Sequence, residues 1–125
     1  MALTTAGINF LAQAAIGQGV PFNASNARIG VGNGTDAFEA GQIDLQGTST
    51  MRKAMDPGFP AIEPPLIKFK STFTQSEANF AWNEWGIFNA ATGGVMLNRV
   101  LESNGTKQSN QTWIIEVDIT FAIGS

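Results

Sequence analysis

The chain has no histidine, no cysteine and no tyrosine, and only 14% of its 125 residues are charged. Without His or Cys, the usual general base and the usual soft nucleophile are both missing. Any turnover would rest on carboxylates, Lys or Ser/Thr. The carboxylates are spread along the chain, with no spacing that pairs two of them as acid and base. The sequence therefore reads as a non-enzyme without a cofactor. The absence of Cys also excludes the disulfide framework that staples small secreted domains. The net charge is −3, and no basic cluster is longer than Arg52-Lys53. That argues against binding a phosphate backbone, which needs several cations on one face. No run approaches the roughly 20 apolar residues of a membrane span. The N-terminus lacks the basic region of a secretory signal. Four sequons, at Asn23, Asn33, Asn104 and Asn110, then read as by-products of Asn- and Thr-rich loops.

What remains is a neutral surface of Asn, Gln, Thr, Ser, Ala and Gly over an ordinary apolar content of 43%. Such a surface is less costly to desolvate than a charged one, and interface centres are depleted in Lys, Glu and Asp. The expectation is one domain spanning residues 1–125 that packs against copies of itself or against other proteins.

The N-terminus reads as a short helix over about 4–16. Thr4 or Thr5 caps it, and Gly17 follows as a C-cap. Ile8, Leu11, Ala12 and Ala15 fall on one helical face. No charge occurs between Met1 and Val20, so the helix needs packing to persist. A β region over about 26–123 follows. Ala27, Ile29 and Val31 alternate with Arg28, Gly30 and Gly32, a strand whose glycine side admits a ring or another backbone closely. Asn33-Gly34 ends it. Residues 35–47 read as a small, acidic loop with one helical turn. Residues 48–56 read as a further strand, followed by a proline-punctuated loop. Leu66–Phe73 alternates as a half-buried strand.

Phe80–Asn89 is the most aromatic stretch. Phe80, Trp82, Glu84 and Phe88 are expected on one face and Trp85 and Ile87 on the other, which predicts a central strand covered on both sides. Thr92-Gly93-Gly94 turns it into a hairpin with residues 95–102. In the last strand Trp113, Ile115, Val117, Ile119, Phe121 and Ile123 share one face, opposite Thr112, Glu116, Asp118 and Thr120. The predicted fold class is mainly β: a compact antiparallel β-sandwich or barrel-like sheet with a short N-terminal helix.

Candidate chemistry is sparse. Gly30-Val-Gly-Asn-Gly34 lacks the Lys-Ser/Thr and the spacing of phosphate-cradling loops. Asp36, Glu39 and Asp44 do not match a Ca²⁺ loop, so no metal site is expected. Glu84 stands apart, because a carboxylate among Trp82, Trp85 and Phe88 needs a partner. Arg28, Arg52 and Arg99 are the candidate cations, with a neighbouring subunit as the other way to satisfy it.

Three features in order resemble the N-terminal domain of phage tail-collar and tail-fibre proteins. They are Leu3-Thr-Thr-Ala-Gly7 on the apolar helix, Ile29-Gly-Val-Gly-Asn-Gly34 followed by Leu45 and Arg52-Lys53, and Asn83-Glu-Trp-Gly-Ile-Phe-Asn89 before a glycine hairpin. The resemblance spans most of residues 1–100. It implies a virion part without catalysis, assembled around a symmetry axis and located in the particle after assembly in the host cytoplasm. A chain ending at Ser125 leaves no room for a receptor-binding tip, which favours an adaptor, baseplate, collar or fibre-attachment piece. The alternatives are a capsid decoration protein and a carbohydrate-binding module, the latter with Trp82, Trp85 and Trp113 as ring platforms for a host-surface glycan. Glu84, Trp82, Trp85, Gly86, Phe88, Arg28 and Arg52 are the assembly candidates, and a homo-oligomer, foremost a trimer, is expected.

Overall fold

The computed structural model describes residues 2–122. One helix, α1 (Thr5–Ala14), precedes seven strands: β1 (Arg28–Gly32), β2 (Thr50–Ala54), β3 (Ala61–Glu63), β4 (Leu66–Phe73), β5 (Glu84–Phe88), β6 (Met96–Leu101) and β7 (Trp113–Thr120). They form two antiparallel sheets, ordered β2-β1-β5-β6 and β3-β4-β7. Neither sheet closes on itself, so of the two predicted architectures the sandwich is the observed one. No described helix is long and apolar enough to cross a membrane.

Alternation explains most of the core. Ile29 and Val31 of β1, Ile87 of β5, Phe69 and Phe73 of β4, and Val117 and Ile119 of β7 meet between the sheets, joined by Trp82, Trp85 and Leu97. Each such side chain contributes about 1.5–3 kcal/mol when fully removed from water. β5 lies inside its sheet with all five residues buried, as its heavy faces predict. The sheets are strapped along one side, where Ser71 Oγ donates to the Ala54 carbonyl at 2.9 Å and the Asp56 N–H donates to the Lys70 carbonyl at 2.8 Å.

Several expectations change. The strand expected over Phe80–Asn89 begins only at Glu84, and Trp82 packs in the main core with Trp85 and Ile87 instead of sharing a face with Glu84 and Phe88. The peptide on either side of Asn83 is held by separate bonds, Trp82 N–H to the Gly105 carbonyl and Asn83 N–H to the Gly32 carbonyl, which interrupt the alternation. The loop over 35–47 contains no helix, and the proline-rich loop contains the short strand β3. Ile123 lies outside the described residues.

The helix is capped as expected, with Thr4 Oγ1 accepting the Gly7 N–H at 2.9 Å. Its buried face is not the expected one. Gly7 and Phe10 are buried; of the expected face Leu11 is half-buried, while Ile8, Ala12 and Ala15 are exposed. Backbone docking sets this orientation. Thr4 N–H donates to the Leu97 carbonyl at 3.0 Å, Thr4 Oγ1 also contacts the Met96 carbonyl, and Leu3 bridges to Asn98.

Candidate functional site

Glu84 opens β5 with its carboxylate on the outer face of the four-stranded sheet, beneath the loop over 33–47. Arg99, across on β6, reaches it diagonally, because Gly86 and not Glu84 is its register partner. The pair meets at 2.7 Å through Arg99 Nε and Glu84 Oε1, with both side chains fully buried. Oε1 also accepts the Gln46 N–H at 2.9 Å. Oε2 accepts the N–H groups of Gly34 at 2.9 Å and Gly47 at 2.8 Å. Arg99 Nη1 donates to the Asp36 carbonyl at 2.9 Å and to Gln42 Oε1 at 3.2 Å, while Nη2 is buried without a partner among the described residues.

The ion pair is thus a hub that holds both arms of one long loop. The geometry requires glycine there: a Cβ on Gly34 would lie 2.6 Å from the Gly47 nitrogen, and one on Gly32 would overlap the Glu84 carboxylate. Burial pushes the Glu84 carboxyl up. The Gln46 N–H, the Arg99 guanidinium and the N–H groups of Gly47 and Gly34 more than offset that, and the group rests below its ordinary value. A carboxylate with four donors and 1% exposure has no lone pair available for a substrate proton.

The other candidates surround this hub or stand apart from it. Phe88, fully buried, packs with Leu45 and Met96 under the same loop. Arg52 lies 3.6 Å over the Phe88 ring centroid, donates to the carbonyls of Ala90 (2.9 Å) and Gly93 (2.8 Å), and meets Asp44 at 3.3 Å. It stitches the hairpin turn to the loop. Gly86 faces β6, where a Cβ would lie 2.6 Å from the Asn98 carbonyl oxygen. Beside it, Asn98 Oδ1 accepts the Ile87 N–H at 3.1 Å, where the β5–β6 register shifts. Trp82 and Trp85 are core residues on the opposite side of the sheet. Arg28 does not reach Glu84; it donates to the carbonyls of Ser25 and Ala27.

A second acid with a lowered pKa lies at the strapped side. Glu77 receives Lys53 Nζ at 2.6 and 2.7 Å, together with the Thr74 N–H and hydroxyl. Lys53 first, then Thr74, lowers its pKa from 4.5 to about 2. Sequence reasoning missed this turn, in which the Glu77 carboxylate reaches back to the Thr74 N–H and hydroxyl while the Glu77 N–H donates to the Thr74 carbonyl. It also missed Gly34, Gln46 and Gly47 as carboxylate donors, and the buried Lys107, whose Nζ donates to Asn79 Oδ1 at 2.7 Å. No local pattern in the chain announces either. Among the described residues, no three acids gather into a group that could hold a metal.

An open groove of about 440 Å³ lies on the unstrapped side of the sandwich. It is lined by Glu102 and Asn104, by Thr112–Glu116, and by Trp82. The indoles of Trp82 and Trp113 meet edge to face at 4.9 Å. Comparison with protein-family models, curated proteins and solved structures finds no match to this chain.

Proposed function

We propose that the chain is a non-enzymatic structural component of a tailed-phage particle, an adaptor or attachment piece of the tail, collar or baseplate. The particle assignment comes from the sequence resemblance. The observation that carries the assembly role is the charge-free N-terminal segment, which exposes Ile8 by 56%, Ile16 by 73% and Val20 by 53%. No charge raises the cost of covering this surface. The most distinctive acid is consumed in holding a loop, which is architecture and not turnover. Trp82 and Trp85 are buried, which leaves a sugar ring nothing to stack on at those positions.

Two measurements test the reading. An antibody against the chain, applied to gradient-purified particles of its source phage, is expected to label the tail. Absence from particles while the chain is abundant in the lysate overturns the assignment, and labelling over the shell transfers it to capsid decoration. The purified chain is expected to sediment as an oligomer. Ile8→Lys with Ile16→Lys is expected to reduce it to a folded 13.2 kDa protomer, since both side chains are exposed in the protomer, with the melting temperature falling only by what association contributed. A wild-type monomer at micromolar concentration removes self-association through this segment.

A further inference from the structure

We infer that the free edge of β7 is a docking strand for an extended segment of another protein, one with basic side chains at alternate positions. The inference deepens the assembly reading and rests on it for there being a partner.

The argument begins with hydrogen-bond parity. β7 pairs with β4 in unbroken register from Leu66↔Thr120 to Phe73↔Trp113. The Phe121 N–H donates to the Pro65 carbonyl, continuing that ladder by one step. In an antiparallel pair, alternate residues direct both backbone groups to the same neighbour. Odd-numbered residues of β7 therefore bond to β4. The N–H and C=O of Ile114, Glu116, Asp118 and Thr120 point away from the sheet, and no described element packs along that side.

The remaining sheet edges are occupied or blunted. β6 is covered at Leu97 and Asn98 by Leu3 and Thr4, which leaves only its last three residues, and β2 is strapped to β4 through Ser71. β3 has three residues flanked by Pro60 and Pro64. β7 has eight residues and carries no Pro and no bulge; charge, in Glu116 and Asp118, is the one edge-protecting device it has.

Charge selects the occupant. Glu116 and Asp118 are exposed at this edge, and Glu102 lines the adjoining groove. Lys70 and Lys68 lie opposite Glu116 and Asp118 in register, yet Lys68 turns to Glu63 (3.8 Å) and Lys70 to the Phe59 ring (5.5 Å). Among the described residues the two acids have no ion pair. A second copy is a poor occupant. Full two-fold overlap of two β7 edges sets Glu116 against Asp118 of the counterpart. Shifting by one residue pair in either direction sets Glu116 against Glu116, or Asp118 against Asp118. Like charges directly opposite are destabilising. A basic strand meets the acids instead, and its alternate side chains enter the groove over Trp113 and Ile115.

The test uses a synthetic seven-residue peptide of alternating Lys and Val/Ile, Lys at both ends, titrated by fluorescence anisotropy. Two forms are compared, N-methylated at the Val/Ile positions or at the internal Lys positions. The Lys residues would sit opposite Glu116 and Asp118 and direct their N–H groups at β7. The first form is expected to bind in the micromolar range and the second not at all. Glu116→Lys with Asp118→Lys is expected to weaken binding by roughly tenfold or more, with the melting temperature checked for an intact fold. Equal binding of both forms, no binding, or equal binding of a peptide with Glu in place of Lys overturns the inference. So does a change in the free protein's sedimentation mass on charge reversal, which would assign the edge to a second copy. Failure of the peptide with the chain still on particles removes this edge and leaves the assembly reading. Peptide binding by a chain absent from particles does the converse.

Discussion

Replacing Glu84 by alanine is expected to destabilise the fold by about 3–5 kcal/mol, because it leaves the Arg99 charge buried without its counter-ion. For a chain of this size that lowers the melting temperature by roughly 10–20 °C. Urea titration gives the free energy, and a smaller slope would report that the loop over 33–47 is already released in the folded state. A loss under about 1 kcal/mol would refute the hub.

The double variant Glu84→Leu with Arg99→Met decides what kind of hub it is. If the two side chains served only each other, replacing both with apolar groups would restore most of the stability. The carboxylate also accepts the N–H groups of Gly34, Gln46 and Gly47, and Arg99 holds the Asp36 carbonyl. Those backbone groups keep their places and lose their partners in the double variant, and each one left buried costs about 1–3 kcal/mol. The expected result is therefore incomplete rescue, with the double variant still well below wild type.

Acid should reach the same weakness. The folded-state pKa of Glu84 lies below its ordinary value, and that of Glu77 falls from 4.5 to about 2. A depressed folded pKa gives stability that is fully present above the unfolded pKa and is lost as pH falls through the folded one. Stability is therefore expected to hold above about pH 4.5 and to decline as pH drops toward 2, the Glu77 value. Glu77→Gln should flatten part of that decline.

β4 and β7 were legible from their residues because each has one wet and one dry face, so period-two alternation runs their full length. The β5–β6 hairpin was legible because Gly93 and Gly94 both have positive φ, where other residues are strained. Glu84 was noticeable as a charge among aromatics, but its partner was not. Arg28, Arg52 and Arg99 are equivalent in the linear chain, and only the diagonal across β5 and β6 selects Arg99. The donors from Gly34, Gln46 and Gly47 were unreadable for a different reason. They are backbone groups brought in by a loop without periodicity, and a pattern of side chains contains no record of them. Period-two alternation places Trp82 on the Glu84 face, but the ladder is not continuous at Asn83, and Trp82 turns into the main core.

The helix failed for a reason that yields its own test. Hydrophobic periodicity selected Ile8, Leu11, Ala12 and Ala15, and glycine has no weight in such a count. Yet Gly7 is the residue that touches: a Cβ there would overlap the Leu97 carbonyl oxygen and lie 3.0 Å from both the Leu97 carbonyl carbon and Cα. All three are backbone atoms of a strand in a ladder and cannot rotate aside. In a free helix, Gly→Ala would gain about 1 kcal/mol. Here Gly7→Ala is expected to destabilise, by about 1–3 kcal/mol net of that gain, and Gly7→Val by more. Relief requires α1 to lift from β6, breaking the Thr4 bond to Leu97 and exposing Phe10. Limited proteolysis should then cut near residues 14–20 much faster than in wild type. Ala12→Gly, on the exposed side, supplies the contrast. It should cost only its propensity, about 1 kcal/mol, and leave the cleavage pattern unchanged. A stabilised Gly7→Ala variant would mean that α1 is not seated on β6 through this glycine, and the face inferred from hydrophobic spacing would have to be restored.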